Sequence, residues 1–189
     1  MPIFYRGAAT GTFWHANDAR TMGFTARSPS VGASVDRLAH HIARNTTASP
    51  YVSLTTSYGV AFAYAWFGAS KPTRRNPAYV YEIQIDDPLP PGLTLVEPIR
   101  AIATAPWSPT GRAPFHHDGD RDFLLGVVDQ AGHASNLSMP CIFPPGNTIV
   151  KAPALSVELH ALTWALRDSE VLAIGPVPAA NIVMRYDIY

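Results

Sequence analysis

Three separated stretches each read as a strand that ends in, or carries, a residue able to handle charge. They are Phe4-Tyr5-Arg6-Gly7, Tyr51-Val52-Ser53-Leu54-Thr55-Thr56-Ser57, and Asp168-Ser169-Glu170-Val171-Leu172-Ala173-Ile174-Gly175. Arginine is a permanently cationic planar fork that suits anionic oxygens, phosphates above all. A glutamate at the start of a strand can stabilise positive charge as it develops on a reacting group. Each residue also has a plainer reading when taken alone: an arginine at a strand end is commonly a solvated edge residue, and a glutamate after a helix is commonly exposed.

Other groupings invite chemistry and carry it less far. The spacing of Asp118, Asp120 and Asp122 in His116-His117-Asp118-Gly119-Asp120-Arg121-Asp122 imitates the start of a calcium loop. The sixth position, however, is Phe123 where glycine is expected, and the twelfth is Asp129 where a bidentate glutamate is expected. A turn leading into a capped helix explains the run better. His40 and His41 lie in a helix without a second ligand pair and read as surface or capping residues, so no metal is expected. Cys141 is the only cysteine. It reads as a small buried apolar residue, with no disulfide framework and no cysteine-based zinc site.

The elements that must position these residues follow from the hydrophobic pattern. Ile3 to Arg6 is a short apolar run suited to a first strand, and Thr10 to Ser34 is a long polar excursion with scattered aromatic residues. Ser34 can cap a helix carrying Val35, Leu38, Ala39 and Ile42 at helical spacing. Tyr51 to Thr55 reads as a buried strand. Thr56 or Ser57 can cap a helix containing Val60, Ala61, Tyr64, Ala65 and Phe67, which Gly68 and Pro72 close. Tyr79 to Ile85 alternates with period two. Leu89 to Gly146 is Pro-rich, with a helix expected near Arg121 to Asp129. Ser156 can cap a helix bearing Leu159, Leu162, Thr163 and Leu166, followed by strands over Glu170 to Ile174 and Ile182 to Ile188. Short strands between helices of uneven length imply an α+β fold in one domain over residues 1–189.

Composition agrees with one core: 189 residues, 47% hydrophobic, and zero net charge. Lys71 and Lys151 are the only lysines, and no basic block offers a surface that would track nucleic-acid phosphates. A nucleic-acid substrate read by a small pocket stays open. No apolar run approaches the ~20 residues needed to span a bilayer. With no secretory signal in view either, the chain is expected to be soluble and cytoplasmic where it is made. The dinucleotide fingerprint G-x-G-x-x-G and the phosphate loop ending Gly-Lys-Ser/Thr are both missing.

Taken together and in order, the three charged stretches resemble the NAD-dependent mono-ADP-ribosyltransferases of the cholera-toxin type. That family's signature is an Arg on the first strand, a Ser-x-Thr/Ser strand and a late Glu, matched here by Arg6, Ser53-Leu54-Thr55 and Glu170. Tyr51-Val52-Ser53 followed by a helix with Ala61 and Tyr64-Ala65 is also similar to the family pattern. The resemblance implies a split β-sheet with flanking helices, with NAD as substrate and no metal. It implies Glu170 as the catalytic carboxylate, since cleavage at the nicotinamide ribose builds up positive charge on the sugar as glycoside cleavage does. Arg6 would bind the pyrophosphate, with Gly7 letting backbone approach the ligand. Ser53 would orient Glu170, and Thr55 would support the strand at the NAD site. Tyr64 would wall the nicotinamide pocket, although an aromatic at helical spacing is also ordinary core.

Asp168 departs from the family, whose members carry Glu or Gln two residues before the catalytic Glu. It either shares the cleft with Glu170, as strand positions i and i+2 do, and meets the acceptor as a base, or closes the preceding helix. The acceptor implied is a macromolecule, protein or nucleic acid. The implied setting is a toxin or delivered effector with an immunity or antitoxin partner. The alternatives are an NAD glycohydrolase on the same fold and a non-catalytic NAD-binding or protein-interaction domain.

Overall fold

Alternation along Ile3–Ala8 places Phe4, Arg6 and Ala8 on one side and Ile3, Tyr5 and Gly7 on the other, and the rest of the architecture is arranged around this strand, β1. The computed structural model describes residues 2–44, 47–103 and 157–189. The further strands are β2 (Tyr51–Thr55), β3 (Ala78–Gln84), β4 (Thr94–Val96), β5 (Glu170–Ile174) and β6 (Ile182–Ile188). The helices are α1 (Phe13–Ala16), α2 (Ala19–Met22), α3 (Val35–Arg44), α4 (Tyr58–Trp66), α5 (Pro98–Ala103) and α6 (Val157–Arg167). A 3₁₀ turn over Ala179–Asn181 leads into β6. The helix expected near Arg121 to Asp129, the His116 to Asp122 run, Cys141 and the Ser156 cap lie outside the described residues.

Contacts divide the chain into two units, one holding all six strands with α1, α2 and α4, the other holding α3, α5 and α6. The strands form one antiparallel sheet in the order β4-β5-β2-β1-β3-β6. Its ladders are uneven. The β1–β3 ladder runs from Ile3–Gln84 to Ala8–Tyr79, and the β2–β5 ladder from Tyr51–Ile174 to Thr55–Glu170. Between β1 and β2 the register is the single pair Tyr5–Thr55. The sheet is therefore two three-stranded halves joined at one residue pair.

Residues opposite each other in an antiparallel ladder share a face. One face carries Phe4, Ala8, Val52, Leu54, Tyr81, Ile83 and Ala173 into a core closed by Phe24, Val177 and Leu93. On the other, Tyr5, Ala78, Val80 and Ile188 pack with Ala61 and Ala65 of α4. Small residues let this helix lie close to the sheet: a Cβ on Gly7 would stand 2.2 Å from the Ala61 carbonyl oxygen and 2.9 Å from the Ala65 nitrogen. The close approach of α4 is thus one reason for glycine at position 7.

In the second unit α6 packs against both α3 and α5. Buried residues include Leu38, Ala39, Ile42 and Ala43 of α3, Pro98, Ile99 and Ile102 of α5, and Ala161, Leu162, Thr163 and Ala165 of α6. The Ser34 hydroxyl caps α3 by accepting from the Arg37 N–H at 3.2 Å.

The expected element types hold along most of the described chain, and the differences have local causes. The Thr10 to Ser34 excursion contains two one-turn helices, the second capped by Asp18, which accepts from the Arg20 N–H at 3.0 Å. Ser57 rather than Thr56 caps α4, accepting from the Val60 N–H at 3.3 Å. Strand β4 and helix α5 fall in the Pro-rich stretch where neither was expected. Three residues are too few to show a period, and Pro98 opens α5 at its first position, where a missing N–H costs nothing. Gly7→Ala should lower stability by about 1–3 kcal/mol, the usual cost of overpacking. Urea denaturation checks this, and an unchanged midpoint would show that α4 can move away at no cost.

Candidate active site

Arg6 lies beside the seam where the two half-sheets meet. Strand β2 runs between β5 and β1, and past the Tyr5–Thr55 pair β1 no longer offers it backbone donors. The Arg6 guanidinium supplies one instead, its Nη1 donating to the main-chain carbonyl of Ser53. The guanidinium carbon stands 5.5 Å from the ring centre of Phe24, which is fully buried. Arg6 Nε is buried and makes no hydrogen bond among the described residues. Burial lowers the Arg6 pKa to about 10 against the upward pull of the nearby Glu170 charge, with the Arg27 charge pushing it further down. At neutral pH it remains a cation.

Across the seam, the register pairs Thr55 with Glu170 and Ser53 with Leu172. Ser53, Thr55 and Glu170 therefore share one face, with Ser53 diagonal to Glu170, a separation that a long side chain can span. Thr55 is only 6% exposed. Its hydroxyl donates to the Asp168 carbonyl at 2.5 Å and accepts from the Ser57 N–H at 3.0 Å. It is thus engaged with backbone on both sides and ties β2 to the approach to β5 and to the cap of α4.

Asp168 sits after α6 and before β5, with 8% of its surface exposed. Its carboxylate Oδ2 accepts a hydrogen bond from the Tyr64 hydroxyl on α4. Ser169 follows with φ +46°, the left-handed region that side-chain-bearing residues seldom adopt. The Ser169 carbonyl accepts from the Thr56 N–H at 3.2 Å. Extended geometry thus begins at Glu170, and the i, i+2 alternation does not reach back to Asp168. Tyr64 is 52% exposed and so is not core.

No family model matches the chain, and no curated protein matches it. Among solved structures it is similar to full-length CARDS toxin, at 17% identity over 98% of this chain and 24% of that one, with a TM-score of 0.44. It is also similar to nicked CARDS toxin, at 18% identity over 98% of this chain and 25% of that one, again with a TM-score of 0.44. The chain spans about a quarter of the length of those toxins. Likeness at that score and identity assigns no activity.

Two participants were not singled out from the sequence. Arg27 is exposed, and its charge acts on Arg6. Phe24 lies under the Arg6 guanidinium, held by paired backbone bonds with Val177 and by an edge contact with Trp14 at 4.9 Å. Both lie in the irregular stretch before α3, where no periodicity marks them. Gly23 was the available signal, since a Cβ there would stand 2.2 Å from the Val177 oxygen and shows that this stretch packs closely. Among the described residues no group of three or more His, Cys, Asp or Glu side chains is placed to hold a metal, and no helix is long and apolar enough to cross a membrane.

Thr55→Val keeps the shape and removes the hydroxyl, leaving the Asp168 carbonyl and the Ser57 N–H without that partner. A stability loss of about 1–3 kcal/mol is expected from chemical denaturation. A variant as stable as the parent would mean that the two bonds contribute nothing net.

Proposed function

We propose that this chain cleaves NAD at the nicotinamide–ribose bond and transfers the ADP-ribose to a macromolecular acceptor, with Glu170 as the catalytic carboxylate. The observation that carries this reading is the meeting of opposite charges at the seam. Arg6, from one half-sheet, is hydrogen-bonded to Ser53 of the other, near enough to Glu170 for their charges to interact. Both suit a dinucleotide, the fixed cation its pyrophosphate and the carboxylate its reacting sugar. Arg6 has donors besides the nitrogen held by Ser53, and its buried Nε–H has no protein partner among the described residues, which suits it to an incoming oxygen. Arg27 adds a second positive charge.

The chemistry follows from this placement. The bond from the ribose C1′ to the nicotinamide nitrogen breaks, its electron pair going to the ring, which leaves as neutral nicotinamide. Glu170 stabilises the positive charge this leaves on the sugar. A lone pair of the acceptor then forms the new bond to C1′, and the acceptor gives up a proton. Ser53, diagonal to Glu170 on the same face, holds the carboxylate toward the sugar. A toxin or effector, checked where it is made by an immunity or antitoxin protein, is the setting this activity fits.

Incubation with NAD alone, then with cell lysate and labelled NAD, tests the reading. Label on macromolecules is expected, and its sensitivity to protease or nuclease classifies the acceptor. Nicotinamide release without any labelling would make the protein a glycohydrolase, and no release in either case would sink the proposal. Glu170→Gln should reduce turnover by roughly 10²–10³ while NAD still binds, because it removes the charge that matters in the transition state. Near-normal turnover would remove Glu170 from that role. Arg6→Lys should weaken NAD binding about tenfold or more in titration calorimetry, since a point charge cannot reproduce a planar fork. Equal affinities would mean that Arg6 does not touch the phosphates.

A further inference from the structure

Glu170 is the first residue of β5, so regular strand geometry does not constrain the chain ahead of it. What precedes it is a two-residue turn, Asp168-Ser169, in a conformation that a non-glycine residue adopts only when its surroundings hold it there. Three hydrogen bonds among the described residues help to do so. Two come from β2 and the residue after it, from the Thr55 hydroxyl to the Asp168 carbonyl and from the Thr56 N–H to the Ser169 carbonyl. The third comes from α4, where the Tyr64 hydroxyl donates to the Asp168 carboxylate.

We propose that Tyr64 and Asp168 form a latch that positions Glu170 by holding this turn, and that the Asp168 carboxylate serves the latch and does not meet the acceptor. Two features carry the argument. Asp168 is buried, and a buried carboxylate requires hydrogen-bond donors, one of which Tyr64 supplies. Tyr64 is half exposed as a residue, and its hydroxyl is nevertheless directed at the buried Asp168 carboxylate. Its Cβ stands 3.1 Å from where a side chain on Gly7 would begin. The latch is therefore anchored to the part of α4 seated closest on β1, the strand that carries Arg6. Tyr64 and Asp168 are positioning residues. The catalytic group is Glu170.

This inference rests on the proposed NAD chemistry, and its test separates the two. Hydrogen exchange followed by mass spectrometry needs no activity. Tyr64→Phe should speed exchange in the peptide around Ser169 and Glu170 and leave the β1 and β3 peptides unchanged. Unchanged exchange around Glu170 would overturn the latch whether or not the protein turns over NAD. If the parent releases nicotinamide, Tyr64→Phe should lower kcat about tenfold, the rate equivalent of one ordinary hydrogen bond, with the KM for NAD unchanged. Asp168→Ala should do the same, and the double variant should be no worse than either, because the pair acts as a unit.

Asp168→Asn keeps an oxygen that accepts from Tyr64 and should recover most of the rate lost in Asp168→Ala. If Asp168→Asn instead abolished labelling of the acceptor and spared nicotinamide release, Asp168 would be an acceptor-side base and the latch would be wrong. Multiplicative losses in the double variant would also overturn it. Asp168→Asn guards against misfolding of the alanine variant, since it preserves size and the hydrogen bond.

Discussion

Arg6 reaches from β1 across the seam of the sheet and donates to the main-chain carbonyl of Ser53, a group that a continuous β1–β2 ladder would have paired with backbone. The arrangement of charge in this protein depends on that bond. The two half-sheets share only the Tyr5–Thr55 pair, and beyond it the strands diverge. A part-buried carbonyl left there without a donor would carry a cost, and the side chain that satisfies it is held in place by the same bond. The result is a guanidinium at the seam, resting over Phe24 on one side and within electrostatic reach of Glu170 on the other.

Held this way, the cation has two functions. It gives the Ser53 carbonyl of β2 a donor, and it carries further donors beyond the one that Ser53 uses. Burial works against its charge, and Glu170 works for it. Delocalisation makes arginine the cation that tolerates this situation: lysine in the same place would be a compact, strongly hydrated charge with a greater tendency to lose its proton. The core beneath is apolar, with Phe24, Val52, Leu54 and Ala173 buried below the seam.

Much of this was legible from residue order alone. The strands over 51–55, 170–174 and 182–188 were read with the bounds they have, because short buried strands flanked by caps and turns leave a clear pattern. Arg6, Ser53, Thr55 and Glu170 were picked out by type and order, and the structure gathers them at one seam. Other features left no such trace. Strand β4 is three residues long, and α1 and α2 are single turns, too short for periodicity to register. Arg27 and Phe24 lie in an irregular stretch, and only the pairing of Phe24 with Val177 brings that stretch under Arg6. For Gly7 the sequence suggests a ligand contact, and for Tyr64 either a pocket wall or ordinary core. Local pattern cannot tell a glycine kept small for a ligand from one kept small for a helix.

The sequence by itself determined the element types, the α+β class and the candidate residues, because periodicity, caps and turn chemistry are local properties. Tertiary structure decided how those residues are used. That β1 and β2 meet at one pair depends on how far two strands run together before diverging, which neither strand encodes alone. That Asp168 turns to Tyr64 depends on a helix more than a hundred residues earlier lying flat on the sheet, and on Ser169 interrupting the alternation that would have carried Asp168 alongside Glu170. A side chain's partner is set by distance in space, and in this chain the partners that matter come from segments far apart in sequence.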